Sequence, residues 1–196
     1  MTPPSPTETL ILGSQSPRRC ELLRTLGYAF TVCTPEVEEV SSGNPEEVVA
    51  VNAKRKATAV AQRNPGATVI GSDTVVAIGN EILGKPADLA EAADFLRRLS
   101  GREHRVLTAI ALVRASECVS WIAASNVRFK VLSESVITEY LGLVNVLDKA
   151  GAYAIQEHGD MIVAGFDGEL ETIVGLPLHR LRRELKKIMP PSVVTP

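Results

Sequence analysis

Apolar positions along the chain switch between a period of two and a period near 3.6, and each switch marks an element. Leu10 to Leu12 is a short apolar run with the length of a buried strand. Ser16 then reads as an N-cap with Pro17 at the first helical position, opening a helix through Leu22, Leu23 and Leu26 to Gly27. A further strand is expected from Phe30 to Thr34. Asn44 and Pro45 repeat the cap signal, Glu46 and Glu47 complement the helix dipole, and this helix is predicted to run to Arg63, ahead of Pro65. The β-branched stretch Ala67 to Ile78 predicts a strand, and Gly79-Asn80 predicts a two-residue hairpin turn into Ile82-Leu83.

Beyond the loop Gly84-Lys85-Pro86, Asp88 is placed to cap a helix that includes Leu89, Ala92, Ala93, Leu96 and Leu99 and stops at Gly101. Two long strands are expected at Arg105 to Val113 and Val119 to Val131. Ser133 caps a helix to Val144, Asn145 to Asp160 reads as loop, and Met161 to Phe166 as a strand ending in an Asp167-Gly168 turn. An amphipathic helix from Pro177 to Ile188 turns Leu178, Leu181, Leu185 and Ile188 inward. Helices and strands interleave while several strands are joined by hairpins. The pattern therefore predicts an α/β fold with a mixed twisted sheet and flanking helices, not a purely parallel one.

Composition narrows this picture. The chain has 196 residues, 45% apolar and 22% charged, which suits one well-packed core. A single domain over 1–196 is expected, with frayed, Pro-rich tails at 1–8 and 190–196. No apolar run approaches the roughly 20 residues of a membrane span, and the first residues lack a secretory pattern, so the expectation is a cytoplasmic protein with no membrane partner. A net charge of −2 argues against a phosphate-coating nucleic-acid binder, so any anion site must come from local concentration of positive charge. Three widely spaced cysteines suggest neither a disulfide framework nor a zinc site.

Such a concentration occurs at Gly-Ser-Gln-Ser-Pro-Arg-Arg, residues 13–19, where Arg18 and Arg19 fall in the first turn of a helix whose dipole already makes that end positive. Arginines at a strand-loop-helix start can add bidentate bonds to phosphate. A solvated surface is the commoner fate of arginine, but the doubled charge in this context favours an anion site. Ser16 serves equally well as cap or ligand contact. At 100° per residue Lys56 falls within the apolar stripe Val49, Ala53 and Val60, whereas Lys54 and Arg55 point away. Lys56 must snorkel or meet a partner. Asp73 interrupts the strand sequence Thr-Val-Ile-Gly-Ser-Asp-Thr-Val-Val, where an unpartnered carboxylate is costly. A functional role is the favoured account; a pairing with a neighbouring base or the capping of a bend at Gly71 ranks second. After Phe30 to Thr34, alternation places Glu36 and Glu38 on one face and Glu39 on the other. Gln156 carries an amide able to read a base edge, and Tyr153 serves equally as core.

Taken together, LILGSQSPRRCELL at 10–23, AKRKA around Lys56, VIGSDTVV at 69–76, ILGKP at 82–86, LRRLSGREHRVLTAIAL at 96–112, DKAGAYAIQ at 148–156 and VGLPL at 174–178 resemble the Maf family, also called septum formation inhibitor proteins. The resemblance runs over nearly the whole chain. It implies a two-lobed fold with a central cleft, like that of the inosine triphosphate pyrophosphatases, and hydrolysis of a nucleoside triphosphate to the monophosphate and pyrophosphate. By the same resemblance Arg18, Lys56 and Lys85 grip the phosphates with Ser14 and Arg19 beside them, Asp73 is the catalytic carboxylate, and Glu38 and Asp73 hold a divalent cation, magnesium or manganese. The intact DKAGAYxIQ segment resembles the branch that uses dTTP and UTP, with Gln156 as base reader. Two other readings are a 7-methyl-GTP or other modified-nucleotide pyrophosphatase, and a non-catalytic nucleotide-binding regulator of cell division. The expected partner is a small-molecule nucleotide, with a homodimer left open.

Overall fold

The computed structural model describes residues 9–189; the tails at 1–8 and 190–196 lie outside them. Seven strands form one mixed sheet, β1 (Leu10–Gly13), β2 (Phe30–Val32), β3 (Thr68–Ile78), β4 (Glu81–Leu83), β5 (Glu103–Arg114), β6 (Glu117–Phe129) and β7 (Val163–Asp167), in the order β2-β1-β3-β5-β6-β7 with β4 on β3. The first three pair in parallel and the rest antiparallel, as the mixture of helical crossovers and hairpins requires. Helices α1 (Pro17–Arg24), α2 (Pro45–Arg63), α3 (Leu89–Leu99), α4 (Glu134–Leu143), α5 (Gly159–Ile162), α6 (Leu170–Val174) and α7 (Leu178–Ile188) flank it.

Strand alternation assigns the two faces. Leu10, Leu12, Ile70, Ile110 and Leu112 pack with Leu23 of α1 and Leu181 and Leu185 of α7, whereas Ile11, Val69, Ala109, Ala111 and Val113 pack with Val49, Ala53 and Val60 of α2. A third cluster at the far end joins Val76, Val106, Val127 and Phe129 to Leu96, Leu99, Ile137 and Tyr140 of α3 and α4. The chain thus has a parallel end and an antiparallel end, with β3 running through both.

The register of β3 positions the site. It pairs with β5 from Thr68↔Arg114 to Ala77↔Arg105. On its other edge β1 covers Thr68 to Gly71 and β4 covers Val76 to Ile78. Ser72 to Val75 therefore lie where one neighbour strand has ended and the next has not begun, and a cleft opens there. Asn44 caps α2 by accepting from Glu46 N at 3.0 Å and Glu47 N at 3.2 Å. This 19-residue helix crosses β3 so closely that a Cβ on Gly71 would lie 2.3 Å from Ala53 O and 2.6 Å from Ala57 N. Only glycine permits that approach.

One expectation needs correction, and one element goes unforeseen. Met161 and Ile162 complete α5, which starts behind His158 in the left-handed region, so the strand begins at Val163 rather than Met161. The segment after Gly168 contains α6, which a five-residue length hides from any periodicity argument.

His104 of β5 is 2% exposed, with Nε2 2.8 Å from the Tyr153 hydroxyl and the Phe129 ring edge-on at 5.0 Å. Burial lowers its pKa from 6.5 to about 4. The fold holds the imidazole neutral, while the unfolded chain binds a proton at the ordinary value, so stability is full above 6.5 and is lost as pH falls toward 4. The linked loss is expected to reach roughly 3 kcal/mol. His104→Phe should start less stable, because Tyr153 loses its partner, but its melting temperature should vary less between pH 7 and pH 4.5. A slope equal to the wild type would show that other groups carry the acid sensitivity.

Candidate active site

Asp73 sits at the break beside β3 and is 6% exposed. Its Oδ1 accepts from Lys56 Nζ at 2.6 Å and its Oδ2 from Asn52 Nδ2 at 3.2 Å. Asn52 and Lys56 are four residues apart on the buried face of α2, so the helix presents both to the strand that Gly71 lets it approach. Asn52 is itself locked, accepting from Val40 N at 2.8 Å and donating to Val40 O at 2.9 Å. That clamp carries the irregular segment after β2 into the cleft, where Glu39 Oε2 accepts from Lys56 Nζ at 2.8 Å. One ammonium thus joins two carboxylates. Burial pushes the Glu39 carboxyl up, but the hydrogen bond and charge of Lys56, with Lys85 and Arg19 adding, outweigh it and hold the group below the usual carboxylate range.

Glu38, expected beside Asp73, is exposed; among the described residues its one side-chain donor is Arg55, whose Nη1 lies 3.1 Å from its backbone carbonyl. The residue that reaches the centre is Glu39. Alternation had set the two glutamates on opposite sides, and the side facing the cleft belongs to Glu39.

The helix-start cations come from the turn after β1. Ser16 caps α1 through Arg19 N at 3.5 Å, and Ser14 Oγ accepts from Ser16 N and from Arg19 Nη1, both at 3.2 Å. Arg19 also donates from Nε to Gly175 O at 2.9 Å and from Nη2 to Thr74 Oγ1 at 2.9 Å. Three of its five N–H groups are committed to the protein. Burial lowers the Arg19 pKa against the attraction of Asp73; a guanidinium remains charged at neutral pH regardless. Arg18 is freer, with Asp148 Oδ2 at 3.8 Å and Glu157 Oε1 at 4.0 Å across the cleft. Lys85, exposed in the loop after β4, makes no hydrogen bond or ion pair among the described residues.

The opposite wall is the segment 145–157, which the sequence left as plain loop and which contains one 3-10 turn at Ala150–Ala152. Lys149 is 5% exposed; its ammonium donates to Asn145 O and to Asp148 Oδ1 at 2.9 Å, and lies 3.5 Å from Glu157 Oε1. Burial pushes the Asp148 carboxyl up, and Lys149 and Arg18 more than reverse this, so it too lies below the usual range. Tyr140 Oη accepts from Ala154 N at 3.0 Å and donates to Ala154 O at 3.3 Å. Both backbone groups of Ala154 are thereby occupied, and, two residues on, the exposed Gln156 lines the cleft.

The cleft has an inner part of about 300 Å³ and an outer part of about 320 Å³ that share Arg18, Arg19, Glu39, Lys56, Lys85 and Asp148. Five cations (Arg18, Arg19, Lys56, Lys85, Lys149) against three carboxylates (Glu39, Asp73, Asp148) give the inner part a net charge of +2, whereas the whole chain carries −2. Its remaining wall is apolar, formed by Val48, Val76, Ile82, Val106, Ile173 and Val174. Ser14 lines only the outer part and Gln156 only the inner. Glu39, Asn52, Asp148 and Lys149 are members that sequence reasoning did not assign to the site. The position of Asn52 one helical turn before Lys56, on the same apolar stripe, was the available signal for one of them.

The architecture is that of the Ham1 type: the Staphylococcus aureus Ham1 protein superposes with a TM-score of 0.56 at 14% identity, over 92% of this chain and 100% of that one. The chain belongs to the Maf family, whose model, described as Maf-like protein, matches residues 9–188. A relative from Symbiobacterium thermophilum named dTTP/UTP pyrophosphatase is 50% identical over 175 residues, 88% of this chain and 90% of the relative. One of the same name from Bacillus velezensis is 45% identical over 183 residues, 92% of this chain and 97% of the relative.

Proposed function

We propose that this chain is a nucleoside triphosphate pyrophosphatase that hydrolyses dTTP and UTP to the monophosphate and pyrophosphate. The observation that carries the reading is a buried carboxylate, Asp73, held by Lys56 and Asn52 at the floor of a cleft that is cationic on one side and apolar on the other. A polyanion with a flat apolar end fits that division. The names of the relatives at 45% and 50% identity support the choice of substrates.

In the proposed reaction a water oxygen forms a bond to the α-phosphorus, the bond from that phosphorus to the bridging oxygen breaks, and pyrophosphate leaves with the electron pair. Asp73 orients the water and takes its proton. Lys56 and Asn52 fix the carboxylate in one orientation. Arg18, Lys56 and Lys85 neutralise the β and γ phosphates and the developing charge on the leaving group, with Ser14 and Arg19 shaping the turn beneath them.

No group of three or more His, Cys, Asp or Glu side chains able to hold a metal occurs among the described residues. Two carboxylates completed by phosphate oxygens and water are nevertheless an ordinary magnesium site, and Asp73 and Glu39 meet within 2.8 Å of one ammonium. That donor pair fits magnesium or manganese held jointly with substrate, with Glu39 in the role first expected of Glu38. When bound, such an ion polarises phosphate oxygens and makes water more acidic.

The test is a panel of kcat/KM values for UTP, dTTP, CTP and 7-methyl-GTP, with and without added magnesium, reading pyrophosphate. UTP and dTTP should exceed CTP by about tenfold, since an amide matched to the uracil edge leaves unpaired groups opposite cytosine. Gln156→Ala should narrow that ratio, and turnover should need the added ion. A preference for 7-methyl-GTP would overturn the base assignment, and binding without turnover would return the protein to the regulatory reading.

A further inference from the structure

The short helix α6 supplies Ile173 and Val174 to the apolar wall of the cleft. Five residues cannot hold a helix in place on their own, and Leu170 at its start is 39% exposed, so apolar burial does not anchor that end. One of its carbonyls and the carbonyls of its two flanking cap residues are instead caught by buried hydroxyls from three adjacent strands. Ser125 of β6 donates to Glu169 O at 3.0 Å, Thr108 of β5 to Thr172 O at 2.7 Å, and Ser72 of β3 to Gly175 O at 2.9 Å. The acceptors recur every three residues, one on each turn of the segment.

The middle rung is tied to the phosphate end. Because Thr108 has one hydroxyl hydrogen and gives it to Thr172 O, the 2.9 Å contact between Thr74 Oγ1 and Thr108 Oγ1 is donated by Thr74. Thr74 in turn accepts from Arg19 Nη2. The chain of bonds therefore runs in one direction from the guanidinium to α6, and Arg19 Nε closes it at Gly175 O. Gly175 has φ 113°, and a Cβ there would stand 3.0 Å from Thr74 Oγ1, so the backbone comes close enough for these bonds only as glycine.

We infer that this hydroxyl row sets the position of the Ile173–Val174 wall, and that Thr108, which is fully buried and does not line the cleft, is a specificity-determining positioning residue for the base. The inference rests on the pyrophosphatase reading for its substrate. It differs in what it demands of ligands: a residue that grips phosphate affects every polyphosphate, whereas one that places the wall affects only ligands with a base.

The experiment compares wild type with Thr108→Val and Thr108→Ser, using UTP, GTP and inorganic tripolyphosphate as a probe without a base. Thr108→Val keeps the shape but leaves Thr172 O without its hydroxyl donor and the Thr74 hydroxyl hydrogen without an acceptor, while Thr74 Oγ1 keeps its bond from Arg19. Its kcat/KM for UTP should fall about tenfold, mainly through KM, and the UTP to GTP ratio should narrow by a similar factor. Inhibition by tripolyphosphate should stay within about twofold, and Thr108→Ser should recover most of the ratio. An unchanged ratio, an equal weakening of tripolyphosphate, or equal losses in Val and Ser variants would overturn the inference. If Thr108→Val does not fold, Ser125→Ala, at the outer rung, carries the same expectation. Calorimetric affinities for UTP and GTP read the selectivity without turnover, so an inactive wild type would count against the pyrophosphatase reading alone.

Discussion

Asp73→Asn is expected to lower kcat by at least about a hundredfold, the range commonly lost with a positioned acid or base, while UTP affinity changes by no more than a few-fold. The amide keeps the volume and one acceptor for Lys56, which retains Glu39 at 2.8 Å, so the ammonium is not left buried alone. What disappears is the carboxylate that takes the water proton in the proposed reaction. Pyrophosphate release checks the rate, and calorimetry with UTP checks binding. A kcat within a few-fold of wild type would remove Asp73 from the chemistry. Glu38→Gln is the control, because that side chain is exposed and lines neither part of the cleft; its activity should stay within a few-fold.

Gly71→Ala should be the most damaging single methyl in the protein. The new Cβ would stand 2.3 Å from Ala53 O, 2.6 Å from Ala57 N and 2.7 Å from Ala57 Cβ, and two of these are backbone atoms of a long helix that cannot swing aside like a side chain. Overpacking of this kind costs roughly 1–3 kcal/mol or more. For a domain of this size that lowers the melting temperature by about 2–4 °C per kcal/mol. Activity should fall beyond what stability explains, because α2 also carries Asn52 and Lys56, and pushing it off β3 lengthens their bonds to Asp73. Thermal melts and UTP turnover at a temperature where the variant is folded separate the two effects. A variant with wild-type melting and wild-type rate would mean that helix and strand separate freely, against the close crossing described above.

The helices with caps and the strands with β-branched runs were legible along the chain, since α2 and α3 begin after the expected caps Asn44 and Asp88 and the Gly79-Asn80 turn joins β3 to β4. Lys56 could be singled out because helical periodicity alone puts it among apolar neighbours, and it is 7% exposed. Its partners could not. Asp73 and Glu39 arrive from a strand and an irregular segment, and nothing local encodes their meeting. The choice of Glu38 over Glu39 followed the family resemblance, whereas facing direction is decided by the Asn52 clamp on Val40, a contact 12 residues apart in sequence. The helix α6 escaped for a related reason: hydroxyl groups on distant strands hold its segment's carbonyls, and such contacts leave no stripe in its own five residues.

The bond from Gly151 N to Gly84 O, 3.0 Å long, ties the loop that carries Lys149 and Gln156 to the loop that carries Lys85. Glycine at 151 is also where Val76 leaves no room, since a Cβ would lie 2.9 Å from its methyl groups. The proposed base reader Gln156 and the proposed phosphate contact Lys85 are therefore mounted on a single part, while Arg18 stands on the other side, with ion pairs of 3.8 and 4.0 Å to Asp148 and Glu157. For anyone transplanting substrate choice between relatives, residues 84–86 and 148–156 form one cassette. A 148–156 loop grafted without its partner is expected to shift the seat of Lys85 together with the Gln156 amide.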